Sequence, residues 1–290
     1  MNKQGSAPPT VAACLGTAAR QLATALGLDT REARLEARVL AAFAWEVAPA
    51  WLLAHDTDAL SAEQAAAFDA VLARRLAGEP VAYLTGRREF FGRPFTVTPD
   101  VLIPRPETEL LVELALTHIA PDEATALLDL GTGSGCVAIT LALERPAARV
   151  IAVDRSAAAL AVARHNAALL DTAVEFLTSD WFAALAGRRF DCIVGNPPYV
   201  AATDPHLARG DVRFEPASAL AAGADGLADL RHLIAAARGH LVPGGTLLLE
   251  HGYDQAPAVR ALLETHGYDD VQTWPDLAGH PRVSGGRLSE

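Results

Sequence analysis

From residue 124 onward, short apolar segments alternate with segments whose apolar residues recur at helical spacing. The apolar segments, which we predict to be strands, are 124–130, 149–153, 174–177, 191–195, 245–250 and 270–274. The segments predicted to be helices lie near 107–119, 134–144, 156–169, 228–241 and 256–266. Alternation of this kind is typical of a parallel α/β sheet, in which helices connect successive strands. We therefore predict an α/β fold for this part of the chain.

The first 80 residues have a different character, being rich in alanine and leucine with charges at helical spacing. Ser61 and Gln64 have the spacing of a capping box, so Ser61 is expected to begin a helix. We predict about four short helices packed as a bundle, after a loose tail at residues 1–8.

Residues 81–105 combine aromatic and β-branched side chains with Gly86, Gly92 and Pro94. This pattern predicts a β-hairpin that connects two domains. The expected organisation is a helical domain over 1–80, the connector over 81–105 and an α/β domain over 106–290.

The formal net charge of the 290-residue chain is −11, and it is unevenly distributed. Residues 1–85 carry 7 basic and 9 acidic side chains, and the remainder carries 17 basic and 26 acidic ones. Proteins that bind nucleic acid usually have a basic footprint, because phosphate neutralisation dominates that affinity. Direct binding of nucleic acid is therefore not expected.

Other sequence features favour a cytoplasmic protein. No apolar run approaches the roughly 18–20 residues that a membrane span needs, and the first residues lack the pattern of a signal peptide. Cys14, Cys136 and Cys192 lack metal-ligand spacing, so no metal is expected. Free thiols of this kind suit a reducing compartment.

The tetrapeptide Asn196-Pro197-Pro198-Tyr199 directly follows a predicted strand. Two consecutive prolines cannot continue a sheet, because neither has an N–H to donate and each restricts the residue before it. The chain must turn at Asn196, which leaves its side-chain amide and the carbonyls of Asn196 and Pro197 outside the strand pairing. These acceptors, beside the flat ring of Tyr199, could hold a planar NH2 group.

A glycine-rich loop follows the first predicted strand of the α/β domain. Gly131, Gly133 and Gly135 are spaced as G-x-G-x-G, and Cys136 stands where the dinucleotide fingerprint would require glycine. Glycines here let the backbone pass close under a ligand. The alternative is a plain tight turn.

The next two strands also end in polar residues. Asp154, roughly 20 residues past the glycine loop, could accept both hydroxyls of a ribose, or it could cap the following helix. Asp180 could accept from an adenine amino group while Trp181 packs on the base, although Ser-Asp is also ordinary N-cap sequence. Gly131, Asp154, Asp180 and Asn196 all fall at the carboxyl ends of successive strands, where open α/β sheets bind ligands. Their joint placement favours a single nucleoside site.

Together these features resemble the class I methyltransferases that use S-adenosylmethionine, and more narrowly the bacterial peptide-chain release factor glutamine methyltransferases (the HemK/PrmC family). Further matching segments are Glu79-Pro80, 102–109, 215–220, Asp225-Gly226, Glu250 with Gly252 and Gln255, and Arg282 with Gly286-Arg287. The resemblance extends from about residue 79 to the end. It is only general over 28–78, and we find no match for the first 25 residues.

The resemblance implies a class I, Rossmann-like domain that methylates the N5 side-chain nitrogen of the glutamine in the Gly-Gly-Gln loop of class I release factors. S-adenosylmethionine would be the cofactor, the helical domain would help to bind the protein substrate, and a cytoplasmic monomer is expected. The cofactor site is expected to contain Gly131, Thr132, Gly133, Ser134, Gly135, Asp154, Asp180, Trp181 and Asn196. Asn196, Pro197 and Tyr199 are the expected catalytic residues, and the substrate site adds Pro198.

An amide nitrogen is a poor nucleophile because its lone pair is delocalised into the carbonyl. If Asn196 Oδ1 and the Pro197 carbonyl each accept one N–H, the NH2 group is fixed and polarised, and Tyr199 can stack on the amide plane. Positioning of this kind can contribute roughly 7–11 kcal/mol. No strong base is needed, so none of the nine histidines receives a catalytic role.

Two other functions fit parts of this pattern. An adenine-N6 DNA or RNA methyltransferase would use the same tetrapeptide, but the acidic balance argues against it. A non-catalytic nucleoside-binding module is the other possibility. The presence of both Asn196 and Tyr199 argues against that reading.

Overall fold

The computed structural model describes residues 8–289, so the predicted loose tail lies outside the described residues except for Pro8. The chain forms two compact units. One comprises the chain up to Gly86 together with Gly210–Phe214, and the other comprises Arg87–Arg209 and the chain from Glu215 onward. No helix within residues 8–289 is long and apolar enough to cross a membrane.

The first unit is helical. Its helices are α1 (Val11–Leu26), α2 (Thr30–Ala44), α3 (Pro49–Ala54), α4 (Ala62–Leu76) and α5 (Val81–Thr85). Leu22, Leu40 and Phe68 are fully buried in its core. The predicted capping box is confirmed, since the Ser61 hydroxyl accepts from the Gln64 N–H and the Gln64 side chain accepts from the Ser61 N–H. The short helix α5 lies in a segment where the sequence predicted only a connector.

A buried arginine joins the Gly210–Phe214 segment to this helical unit. Arg75 is 3% exposed. Its guanidinium forms ion pairs with Glu36 and Asp211, both at 2.8 Å. It also donates to the backbone carbonyls of Gly78 and Glu79.

Replacing Arg75 with methionine is expected to lower the free energy of unfolding by about 2 kcal/mol. The backbone carbonyls and the carboxylates of Glu36 and Asp211 lose their hydrogen-bond donor. The cost is smaller than for a fully buried ion pair, because both carboxylates remain partly hydrated. Arg74→Met is the matched control. Arg74 is 57% exposed and pairs with Glu79 at the surface, so its loss should cost below about 0.5 kcal/mol. Urea unfolding followed by circular dichroism measures both variants. Equal unfolding midpoints for the two would contradict the assigned role of Arg75.

The second unit begins with the predicted β-hairpin. Strands β1 (Arg87–Phe90) and β2 (Arg93–Thr96) are antiparallel, and positive φ angles of 51° at Phe91 and 70° at Gly92 form the tight turn between them. The side chain of Asn166 donates to the Thr96 carbonyl and accepts from its N–H. These bonds attach the hairpin to the body of the second unit.

The remaining strands form one seven-stranded sheet with the order β5-β4-β3-β6-β7-β9-β8. The strands are β3 (Ala126–Leu130), β4 (Arg149–Asp154), β5 (Glu175–Thr178), β6 (Phe190–Gly195), β7 (Leu241–Glu250), β8 (Tyr268–Pro275) and β9 (Pro281–Leu288). The helices are α6 (Glu109–Thr117), α7 (Cys136–Glu144), α8 (Ala157–Leu169), α9 (Ala228–Ala237) and α10 (Ala256–Thr265). β3 to β7 pair in parallel, and β9 is antiparallel to both of its neighbours. The predicted α/β class is confirmed.

The prediction of a purely parallel sheet of six strands was incomplete, because β9 was missed. Pro281, Gly285 and Gly286 give this strand low intrinsic β propensity. Gly285 is nevertheless required there, because a Cβ on it would lie 2.4 Å from the Leu247 carbonyl oxygen of β7.

The strand order creates the place for a ligand. The chain runs from β3 outward to β4 and β5 and then returns to β6 on the other side of β3. The loops that follow β3 and β6 therefore lead in opposite directions, and a crevice opens between them at the carboxyl ends of the strands.

Candidate active site

A cleft of about 240 Å³ lies at this edge of the sheet. Gly131 and Gly133 form part of its wall. Their φ angles of +71° and +55° lie in the left-handed region that favours glycine. A Cβ on Gly131 would lie 3.3 Å from the Trp181 ring, so the loop leaves a surface without side chains beside an aromatic ring.

The other predicted residues of the glycine loop do not line this cleft. Thr132 and Ser134 line an adjoining cavity of about 40 Å³, which shares Gly131, Gly133 and Asn196 with the cleft. The Thr132 hydroxyl donates to Asp129 at 2.6 Å. Gly135 has a packing role, since a Cβ there would lie 2.8 Å from Ile139 and close to α8.

Asp154 supports the glycine loop from the end of β4. Its Oδ2 accepts from the Gly133 N–H at 2.9 Å and its Oδ1 accepts from the Ser156 N–H at 2.8 Å. The alternative that Asp154 caps the next helix was wrong, because Ser156 is the N-cap and accepts from the Ala159 N–H. A carboxylate offers about four acceptor positions, so Asp154, which lines the cleft, can accept further hydrogen bonds.

Asp180 and Trp181 also line the cleft, at the end of β5. Asp180 is exposed, and the chain forms a turn rather than a helix after it, so the N-cap alternative was wrong here too. Trp181 has a positive φ of 49°. Its ring lies against Gly131.

The tetrapeptide turns away from the sheet as its prolines predict. Parallel pairing of β6 ends at Gly195. Asn196 and Pro198 line the cleft, and Pro197 is buried beside them. The Asn196 amide is fixed by its nitrogen, since Nδ2 donates to the Thr108 hydroxyl at 3.2 Å. Of the two polar atoms of the Asn196 amide, Oδ1 is therefore the one that can accept a hydrogen bond from a ligand.

Tyr199 lines neither cavity and is anchored at both its side chain and its backbone. Its hydroxyl donates to Glu250 Oε1 at 3.3 Å. Its carbonyl accepts from Gln255 Nε2 at 3.0 Å. Gln255 also donates to the carbonyl of Gly226. Gly226 lies so close to the tetrapeptide that a Cβ on it would be 2.3 Å from the Tyr199 carbonyl oxygen.

Two buried carboxyl groups, those of Glu250 and Asp129, lie next to residues of the site. Burial raises the pKa of Glu250 to about 7, although the neighbouring Thr108 hydroxyl lowers it. Burial likewise raises the pKa of Asp129 to about 7, against a lowering by the Thr132 hydroxyl. Burial and the adjacent Glu250 carboxyl raise the pKa of Tyr199.

Sequence reasoning did not assign Thr108, Asp129 and Glu250 to the site. Glu250 is the last residue of a strand, as Asp154 is, and this position in the sequence could have indicated that Glu250 lies near the site. The sequence also did not assign to the site the segment Pro99–Leu102 and the residues around Ser218, which line the cleft as well. The buried Glu215 carboxylate holds these two segments together, since it accepts from the Ile103 N–H and pairs with Arg105.

The described part of the chain has no group of three His, Cys, Asp or Glu side chains that could hold a metal ion. The three cysteines are free thiols.

Two family models match the chain. Residues 14–86 match the PrmC N-terminal domain, and residues 107–219 match the methyltransferase small domain. The first match begins at residue 14, so the expectation that the first 25 residues have no match was wrong for residues 14–25. The N-terminal segment is mostly alanine-rich helix, and such a composition includes few residues that are characteristic of one family.

Solved structures show the same fold at low sequence identity. A methyltransferase from Pyrococcus furiosus aligns with a TM-score of 0.53 and 18% identity, over 75% of this chain and 98% of that one. A Thermus thermophilus 16S rRNA N2 G1207 methyltransferase in complex with AdoMet and guanosine aligns with a TM-score of 0.52 and 23% identity, over 70% of this chain and 49% of that one.

Curated relatives are far more similar in sequence. The release factor glutamine methyltransferase of Burkholderia pseudomallei is 55% identical over 261 residues, which is 88% of this chain and 92% of the relative. The enzyme of the same name from Escherichia coli K12 is 50% identical over 238 residues, or 82% of this chain and 86% of the relative. The predicted resemblance is confirmed, and the chain belongs to the release factor glutamine methyltransferase family.

Proposed function

We propose that this protein transfers a methyl group from S-adenosylmethionine to the side-chain amide nitrogen (N5) of the glutamine in the Gly-Gly-Gln loop of class I release factors. The observation that carries the proposal is the state of Asn196. Its amide nitrogen donates one N–H to the Thr108 hydroxyl, and its oxygen is left to accept at the wall of a cleft with the features of a nucleoside site.

The residues of the cleft fit the proposed cofactor. Gly131 and Gly133 offer a surface without side chains beside the Trp181 ring, and an adenine ring would suit such a surface. The Asp154 carboxylate has acceptor positions left for ribose hydroxyls, and the exposed Asp180 carboxylate can accept from an amino group. When bound, the cofactor supplies an electrophilic methyl group on a sulfonium.

The protein's contribution is to position the substrate amide. Asn196 Oδ1 and the Pro197 carbonyl would each accept one N–H of the glutamine side chain, which fixes its plane and raises the electron density on its nitrogen. Tyr199, anchored through its hydroxyl and its carbonyl, would support the face of that amide. After transfer the nitrogen gives up a proton to water without a strong base.

The helical unit, which matches a separate N-terminal domain model, is proposed to help to bind the release factor. We propose the functional division as residues 1–80 for this domain, 81–105 for the connector and 106–290 for the methyltransferase domain. A monomer in the cytoplasm is proposed as well, and three free cysteines suit such a reducing compartment.

Transfer of labelled methyl from S-adenosylmethionine to purified release factor tests the proposal. We expect one methyl group per release factor, and none when the Gly-Gly-Gln glutamine is replaced with alanine. Labelling that persists on the alanine variant would contradict the proposal. So would labelling of bare DNA or RNA in place of the release factor.

Asp154→Asn tests the cofactor site alone. Asparagine has one acceptor oxygen for the two N–H groups that the carboxylate now accepts, and it cannot form a charge-assisted hydrogen bond with a ribose hydroxyl. The Kd for S-adenosylmethionine should rise by about 10- to 100-fold, since such a bond contributes about 1.5–3 kcal/mol. Calorimetric titration measures it, and the exposed Asp270→Asn serves as the control. An unchanged Kd for Asp154→Asn would remove Asp154 from the proposed site.

A further inference from the structure

Glu250 and Asn196 stand at neighbouring strand ends. In the parallel register Gly195 of β6 pairs with Leu249 of β7, so the residues that follow each of them occupy corresponding positions. Glu250 is 1% exposed, and nothing in the proposed transfer requires a carboxyl group at this depth. A buried carboxyl group needs hydrogen-bond donors to offset its desolvation.

The donors available to Glu250 belong to the active site. Tyr199 donates to its Oε1. Its Oε2 is buried and has no hydrogen-bond partner among the described residues. The Thr108 hydroxyl lies beside the carboxyl group and lowers its pKa, so it is a second hydroxyl that can donate to this carboxyl group.

The proton of the Thr108 hydroxyl decides which end of the Asn196 amide faces the cleft. When Thr108 gives its proton to Glu250, its oxygen can only accept, and Asn196 must approach it with Nδ2, as observed at 3.2 Å. Asn196 then presents Oδ1 to the cleft. If Thr108 donated to Asn196 instead, the amide would turn its NH2 to the cleft, and two NH2 groups cannot pair with each other.

We propose that Glu250 is a positioning residue that acts through Thr108 to hold the Asn196 amide with its oxygen toward the substrate, and that fixes Tyr199 through the same carboxyl group. The inference rests on the proposed function, because it explains how the site selects an NH2 group as its substrate. Glu250 itself touches neither substrate nor cofactor in this scheme.

The scheme requires the charged form of Glu250, because a protonated carboxyl can donate to Thr108 and release the amide. Burial raises the pKa of Glu250 to about 7. Activity should therefore be complete above this pH and fall as Glu250 gains a proton below it. The titratable and charged groups that face Glu250 are Tyr199, Arg282, Glu107 and Cys136. Arg282 favours the charged form of Glu250, whereas Glu107 disfavours it.

Steady-state kinetics between pH 6 and 8.5, with release factor as substrate, test the inference on three variants. Thr108→Val keeps the shape but removes the hydroxyl, and kcat should fall by about 10²-fold with unchanged affinity for S-adenosylmethionine. Thr108→Ser should recover most of that loss. Glu250→Gln retains an acceptor oxygen without titrating, so part of kcat should remain and the fall in activity below about pH 7 should disappear.

Wild-type kcat in Thr108→Val, or an unchanged acid limb in Glu250→Gln, would overturn the inference while leaving the proposed function standing. Failure of Thr108→Ser to recover kcat would also count against it. Cofactor binding by calorimetry verifies that each variant is folded. If the wild-type chain itself does not methylate release factor, the proposed function has failed instead.

Discussion

Replacing Asn196 with alanine is expected to lower kcat by about 10³-fold, which is the upper range for removal of one fixed polar group that stabilises a transition state. The variant loses the acceptor oxygen that would polarise the substrate amide, and Thr108 loses its partner. Asn196 is only partly buried, so the fold should survive. Methyl transfer to release factor at saturating cofactor measures the effect.

The matched control is Thr203→Ala. Thr203 is exposed and lies further along the same loop, so its activity should equal that of the wild type. Calorimetry with S-adenosylmethionine separates loss of catalysis from loss of cofactor. If Asn196→Ala retained more than about a tenth of kcat, positioning by this amide could not supply the proposed share of the barrier.

Replacing Gly226 with alanine is expected to destabilise the protein by about 3 kcal/mol and to abolish most activity. Alanine pays about 1–2 kcal/mol in the left-handed region, which Gly226 occupies with φ at +73°. Its Cβ would also lie 2.3 Å from the Tyr199 carbonyl oxygen and 2.9 Å from Gln255 Nε2. The backbone that carries the tetrapeptide must therefore shift, since an overlap of this size cannot be relieved by a side-chain rotation alone.

Gly187→Ala isolates the conformational part of that cost. Gly187 has nearly the same φ, +75°, and a Cβ there would meet no atom within 4 Å. The Gly187→Ala substitution should lower the free energy of unfolding by about 1 kcal/mol and leave methyl transfer intact. Thermal and urea unfolding of both variants give the comparison, and similar destabilisation of the two would show that contact with Tyr199 is unimportant.

The sequence predicted the elements whose local pattern is strong. β3, β4 and β6 are apolar segments that end at glycine or a polar residue, and the Ser61 capping box was visible as a spacing. β9 could not be predicted, because the pairing of Gly285 with β7 compensates for its weak local propensity. This strand forms because of its pairing in the tertiary structure and not because of its local sequence.

The candidate site divides in the same way. Gly131, Asp154 and Asn196 each lie at a strand end within a recognisable local motif, and the structure brings them to one cleft. Glu250 and Thr108 are distant in sequence from the tetrapeptide, and their relation to it appears only when β6 and β7 are paired. Gly135 shows the reverse case, since its motif suggested a ligand and its contacts are with α7 and α8.

The most direct measurement is the structure of this protein with S-adenosylhomocysteine and a release factor that carries the Gly-Gly-Gln loop. The central prediction is that the glutamine side-chain nitrogen lies within hydrogen-bond distance of Asn196 Oδ1 and of the Pro197 carbonyl, with the cofactor bound in the cleft that Gly131 and Asp154 line. A glutamine amide bound elsewhere, or one whose oxygen rather than nitrogen faces Asn196, would contradict it.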